Sequence, residues 1–196
     1  MSHFFLTGAS GIGKSTLLKE VLKDIKIPVS GFFTQRQVLP DYTTGGFCLL
    51  PWNSNIPLTA PYKAEKSDLF IKKSDTGWKK DLSVFQTTAI TLLHENTPLK
   101  CLDEIGGTEF LVPEFSNVLY ALLKSNVCCV GVIKSPQNLT SMMTRVEMKT
   151  QEAIKLHKLH KDMIEQFHSS IVELTAFNRE EVKLALKNFL ETEVHE

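Results

Sequence analysis

The stretch Gly8-Ala9-Ser10-Gly11-Ile12-Gly13-Lys14-Ser15 lies between the apolar run His3–Thr7 and a segment with helical spacing, and this placement constrains the fold more than any other feature of the chain. It satisfies the pattern G-x-x-x-x-G-K-[ST] in full. Successive backbone N–H groups wrap a phosphate only where side chains leave the turn open, hence the glycines. The helix that follows turns the positive end of its dipole toward the same anion. Leu17, Leu18, Val21, Leu22 and Ile25 share one face of that helix, with Lys19, Glu20, Lys23 and Asp24 opposite. Strand, glycine-rich loop and helix in this order predict a nucleotide-binding α/β unit. In it Lys14 reaches the β- and γ-phosphates and Ser15 places its hydroxyl on Mg²⁺.

The rest of the chain extends this pattern. Pro28 ends the first helical segment, Val29–Gln35 reads as a second strand and Gly46–Leu50 as a third. A turn at Thr43–Gly46 would join them as an antiparallel hairpin near residues 29–50. Residues 51–80, with Pro51, Pro57, Pro61 and many lysines, read as an irregular surface excursion holding at most short strands. Helical spacing returns at Val84, Phe85, Thr88, Ala89, Leu92 and Leu93. It returns again from Leu111 to Leu123, where Pro113 and Glu114 suit a first turn. Leu99–Asp103 is a strand, and the uniformly apolar Val127–Ile133 fits a central parallel strand covered on both faces. Gln151–Phe167 and Arg179–Leu190 read as helices, with a strand at Ile171–Leu174 between them. This alternation predicts a mostly parallel central sheet with helices on both faces. At 196 residues, one domain spanning 1–196 is expected.

Charge excludes some functions. Lys plus Arg and Asp plus Glu are 22 each, so the chain is not a globally basic nucleic-acid binder and carries no strong nucleic-acid signature. No apolar run approaches the ~18 residues of a membrane span, and the N-terminus lacks a signal-peptide pattern. Cys48, Cys101, Cys128 and Cys129 form no C-x-x-C pair. Buried free thiols in a reducing cytoplasm are expected, with no membrane partner. The sequence specifies no protein partner.

A second constellation stands at Leu99-Lys100-Cys101-Leu102-Asp103-Glu104, an apolar strand ending in two carboxylates. In a phosphate-loop fold an Asp at such a strand end serves the Mg²⁺ shell, and the adjacent Glu104 can accept a proton from an attacking water. Other candidates are weaker. Arg36, Arg145 and Arg179 are the only arginines, and the first two read as surface charges. His157 and His160, with His168 beyond, read as a solvated helix face rather than metal ligands, no carboxylate partner being evident. Cys101, Cys128 and Cys129 read as core, the last two pointing to opposite faces of a strand. Trp52, Trp78 and Tyr62 read as packing that holds a loop down. Asn178 suits a helix cap.

Four stretches together resemble one family, the small P-loop nucleoside-triphosphatases shared by archaea, bacteria and animals. They are the phosphate loop with Lys14-Ser15-Thr16-Leu17; Ser30-Gly31-Phe32-Phe33-Thr34 followed by Gly46-Phe47; Asp103-Glu104-Ile105-Gly106 with Glu109 and Phe110; and Glu173-Leu174-Thr175 with Asn178-Arg179. The resemblance implies a P-loop NTPase fold and Mg²⁺-dependent hydrolysis of ATP, GTP and other nucleoside triphosphates, with broad base tolerance. It implies nucleotide contacts from Gly8, Ala9, Ser10, Gly11, Ile12, Gly13, Lys14, Ser15 and Thr16. Further contacts would come from Leu102, Asp103, Glu104, Ile105, Gly106, Asn178 and Arg179. Lys14 and Glu104 are the expected catalytic groups, Ser15 and Asp103 the expected metal ligands. The chain departs from the family at Gly107-Thr108 and in the placing of Arg36. Two alternatives remain: a small P-loop kinase, against which three arginines argue, and a nucleotide-dependent switch acting with a protein partner.

Overall fold

Among residues 3–145, 148–167 and 169–194, which the computed structural model describes, nine strands join one sheet. The strand before the phosphate loop is β1 (His3–Thr7), and the loop runs into α1 (Lys14–Leu22). The hairpin is β2 (Val29–Val38) and β3 (Thr44–Pro51). Three short strands follow: β4 (Thr59–Pro61), β5 (Leu69–Ser74) and β6 (Gly77–Lys80). A π-helical turn at Phe85–Ala89 continues into α2 (Ile90–His94). Next come β7 (Leu99–Ile105), α3 (Pro113–Leu123) and β8 (Cys128–Ile133). The chain ends with α4 (Pro136–Arg145), α5 (Thr150–Gln166), β9 (Ser169–Glu173) and α6 (Arg179–Glu193). No described helix is long and apolar enough to cross a membrane.

Strand order is β6-β5-β3-β2-β7-β8-β1-β9. β2, β7, β8, β1 and β9 are parallel neighbours, whereas β3, β5 and β6 add on antiparallel. The sheet is therefore mixed. The expected hairpin is present, but its turn lies at Leu39–Thr43, where the Leu39 N–H donates to the Thr43 carbonyl (2.9 Å) and Tyr42 takes φ 63°. Residues 51–80 hold the short strands that the sequence allows. They extend the sheet, and β4 pairs with the second half of β2 beyond the reach of β7. Gln35 Nε2 donates to the Pro57 carbonyl (2.7 Å), tying this region to β2. Trp52 packs edge-on against Phe33, as expected of an anchor.

The sheet separates two apolar clusters. On one face α1 and α6 bury Leu17, Leu18, Val21, Val182 and Leu186 against Phe4, Leu6, Cys101 and Cys128. On the other, α2, α3 and α5 bury Leu92, Phe115, Leu119, Leu156 and Met163 against Phe5, Leu102 and Cys129. Cys128 and Cys129 thus point to opposite faces, as strand alternation requires. All four cysteines are buried free thiols.

At the end of the sheet away from the phosphate loop, His3 is buried and its Nε2 lies 2.8 Å from the Leu123 carbonyl. Burial lowers its pKa, outweighing the Leu123 bond that works to raise it. An unfolded chain would take up a proton near pH 6.5 while this folded imidazole stays neutral, so its contribution is full above pH 6.5 and lost as pH falls below it. His3→Gln keeps a donor for Leu123 but cannot titrate. Its melting-temperature deficit relative to wild type should therefore shrink between pH 7.5 and pH 5.5. A deficit independent of pH would refute this account.

Candidate active site

Because β9, β1, β8 and β7 are parallel, their C-terminal ends share one sheet edge, where ligands of such folds bind. The phosphate loop leaves β1 there. Gly8 takes φ +125°, and a Cβ on it would stand 2.5 Å from the Leu174 carbonyl oxygen. Gly13 caps α1 with φ +99°. Both positions need a residue without a side chain. Ala9, Ser10, Gly11 and Thr16 are exposed along the loop, while Ile12 packs against the cluster under α1. Lys14 folds back, its Nζ donating to the carbonyls of Gly8 (2.9 Å) and Ala9 (2.7 Å). Asn138, near the start of α4, also donates to the Gly8 carbonyl (2.9 Å).

The ladder between β7 and β8 is interrupted between Leu102 and Ile105. Such an irregularity re-aims side chains. Asp103 and Glu104 lie within it, and Glu104 adopts φ +69°, a strained conformation for a residue with a Cβ. Ser15 Oγ donates to Asp103 Oδ1 at 2.8 Å. Asp103 is 1% exposed, and its Oδ2 is buried without a hydrogen-bond partner among the described residues. Burial first, then the Glu104 charge, raise its pKa to about 7. Glu104 is 42% exposed and pairs with Lys134 Nζ at 2.5 Å. Desolvation works to raise its pKa, but the Lys134 ion pair and Lys14 together hold the carboxyl below its usual range.

Leu102 and Ile105 turn their side chains into the core and leave only backbone for a ligand. Gly106 has φ +94°, and a Cβ there would meet the His160 ring at 2.8 Å. The loop after β9 lies against the phosphate loop. Asn178 Oδ1 accepts from the Thr175 N–H (2.8 Å) and hydroxyl (3.0 Å), and its Nδ2 donates to the Glu173 carbonyl (2.9 Å). It stands at the N-cap of α6, just before the helix, but its side chain makes no capping hydrogen bond, contrary to the expected cap. Arg179 Nη2 pairs with Glu20 (2.9 Å), and its Nη1 would stand 3.2 Å from a Cβ on Gly13. Arg36 is exposed on β2, and the Arg145 side chain lies outside the described residues.

Three residues given no role by the sequence alone lie in or beside the site. Lys134 follows β8; its N–H donates to the Ile105 carbonyl (2.9 Å), and its own carbonyl lies 2.7 Å from His160 Nε2. Glu109 is buried, and its Oε1 accepts from the Gly107 N–H (2.6 Å). His160 is buried too, which corrects the expected solvated face: His157 is exposed, His160 is not, and the two do not share a surface. His168 lies outside the described residues. Lys134 had one available signal, its position at the C-terminal end of a parallel strand.

A family model described as NTPase matches residues 3–172. "Nucleoside-triphosphatase THEP1" of Methanocaldococcus jannaschii is 28% identical over 133 residues, covering 63% of this chain and 73% of that protein. "Cancer-related nucleoside-triphosphatase homolog" of Bos taurus is 26% identical over 174 residues, covering 82% and 89%. Among solved structures, THEP1 from Aquifex aeolicus superposes with a TM-score of 0.67 at 20% identity, over 97% of this chain and 99% of that one. A human cancer-related nucleoside triphosphatase superposes with a TM-score of 0.64 at 19% identity, over 100% of both chains.

Proposed function

The chain belongs to the NTPase family whose model spans it, and we propose that it hydrolyses nucleoside 5′-triphosphates, ATP and GTP among them, to the diphosphate and phosphate with Mg²⁺. The observation that carries this reading is the pairing of Ser15 with Asp103 beside the phosphate loop, with the second Asp103 oxygen buried and unpartnered among the described residues. A hydroxyl and a carboxylate oxygen are hard donors suited to Mg²⁺, which takes its remaining positions from phosphate and water. A carboxyl raised to about 7 by burial and a neighbouring charge also favours a cation at hand. These residues fit the ion. When bound, it would neutralise charge on the β- and γ-phosphate oxygens.

The protein's own groups do the rest. The loop N–H groups and Lys14 hold the phosphates, Lys14 exchanging two loop carbonyls for phosphate oxygens. Glu104, ionised at neutral pH, takes the proton of the attacking water. Arg179 ties the start of α6 to Glu20 of α1 beside the loop, and Asn178 shapes the turn before it. The four free thiols support a reducing, cytoplasmic setting.

Phosphate release from a panel of triphosphates, with and without small acceptors, tests the reading. Free phosphate without an acceptor is expected; label transferred to an acceptor would make the chain a kinase. Lys14→Ala should abolish tight triphosphate binding in a direct titration, and wild-type binding and turnover would contradict the loop assignment. Ser15→Ala and Asp103→Asn should each raise the Mg²⁺ concentration giving half-maximal activity. Unchanged titrations in both would remove these residues from the metal site.

A further inference from the structure

We infer that Lys134 is the cation that grips the γ-phosphoryl group in this site, and that before nucleotide arrives it waits on the carboxylate of Glu104. This rests on the hydrolysis proposed above. Phosphoryl transfer spreads charge over the γ-phosphoryl oxygens, and a positioned cation there accelerates the reaction by orders of magnitude. The chain has only three arginines for such a role. Arg179 is paired with Glu20, Arg36 is exposed on β2, and the Arg145 side chain lies outside the described residues. Lys134 is placed for it: its Nζ lies 2.5 Å from Glu104, the carboxylate assigned above to the attacking water, and its side chain is 16% exposed.

The placement is built, not incidental. The Lys134 N–H and carbonyl are both held, by Ile105 and His160. The stem runs beside Gly107, where a Cβ would stand 3.0 Å from Lys134 Cε and 2.8 Å from Glu109 Oε2. The departure at Gly107 thus leaves the space that the lysine stem and the Glu109 carboxylate occupy. The Lys134 charge also acts on Lys14 and Asp103, assigned above to the phosphates and the metal, and on the buried Glu109.

The step balances without further reactants. Water oxygen forms a bond to the γ-phosphorus and gives its proton to Glu104. The bond from phosphorus to the bridging oxygen breaks, and the diphosphate leaves with the electron pair. Lys134 donates hydrogen bonds to the γ-phosphoryl oxygens. Its transfer from Glu104 to phosphate frees the carboxylate to meet the water, so the base becomes available only once a triphosphate is bound.

The test uses the full chain with Lys134→Ala and Lys134→Met, the latter keeping the stem without the charge. Affinities for ADP and for the β,γ-imido analogue of ATP are measured by calorimetry, and turnover by phosphate release. Both variants should bind ADP as wild type does, which also shows that they fold. Both should lose the preference for the triphosphate over ADP by about tenfold or more and slow by about 10²–10³. Wild-type preference or wild-type rate in Lys134→Ala overturns the assignment, as does full function in Lys134→Met, which would make the stem's packing responsible. If the wild-type chain releases no phosphate from any triphosphate, the hydrolysis reading falls. The triphosphate preference then still decides Lys134.

Discussion

Glu104→Gln is expected to slow phosphate release by about 10²–10⁴, the size of a general-base contribution, with nucleotide affinity nearly unchanged. The amide keeps the shape of the carboxylate and the same left-handed backbone, so the irregularity that positions it should persist. It cannot take a proton at neutral pH. Lys134 would lose an anionic partner and be freer to meet phosphate, so binding has no reason to weaken. The variant should hold unhydrolysed ATP long enough for filtration or calorimetry to find it. Hydrolysis at the wild-type rate would move the base elsewhere or leave phosphate positioning as the whole of catalysis. Full-speed transfer to an acceptor would favour a kinase, which has no need of a water-activating carboxylate here.

The second large effect concerns the scaffold. Gly131 lies in β8, between β7 and β1, and a Cβ on it would stand 2.1 Å from the Leu102 carbonyl oxygen. That atom is backbone in a central strand and cannot rotate away. Gly131→Ala should therefore cost about 3 kcal/mol or more, a large part of the ~5–15 kcal/mol that holds a domain folded. Urea titration would show the midpoint falling sharply or the variant failing to fold. Gly77→Ala is the matched control. It has φ +118° but nothing described within 4 Å, so only local backbone strain of about 1–3 kcal/mol is expected, with no steric clash. Equal midpoints for the two variants would contradict this account. Leu102 is also where β7 leaves its ladder, so a partly folded Gly131→Ala protein should lose nucleotide binding with stability.

The elements that were legible share one cause: each is periodic and buried. β1, α1, α3, β8 and α6 repeat apolar residues at strand or helix spacing because each faces one of the two clusters. The Asp103-Glu104 pair was legible because carboxylates interrupt an apolar run. β4, β5 and β6 read only as possible short strands in an excursion because they run three to six residues each and four of those residues are lysines, as suits strands far from the central ladder. α4 was missed outright, since Pro136–Arg145 is mostly polar and buries little beyond Leu139 and Met143. Lys134 and His160 carry no motif. What makes them part of the site is a chain reversal from β8 to α5 that brings together residues 26 apart, and no local pattern encodes such a meeting.

The distribution of the thiols makes the fold a set of internal clocks. Cys129 faces one cluster, while Cys101 and Cys128 face the other. Burial pushes the Cys48 and Cys128 thiols up to about 12 and raises Cys101 and Cys129 as well. None reacts as thiolate while the structure is closed. The alkylation rate of each cysteine therefore reports how often its own face opens. Since Cys128 and Cys129 are adjacent in sequence, their labelling ratio compares the two halves of the molecule at one point along the chain. Nucleotide binding that tightened only the α1 and α6 side would slow Cys101 and Cys128 and leave Cys129 unchanged.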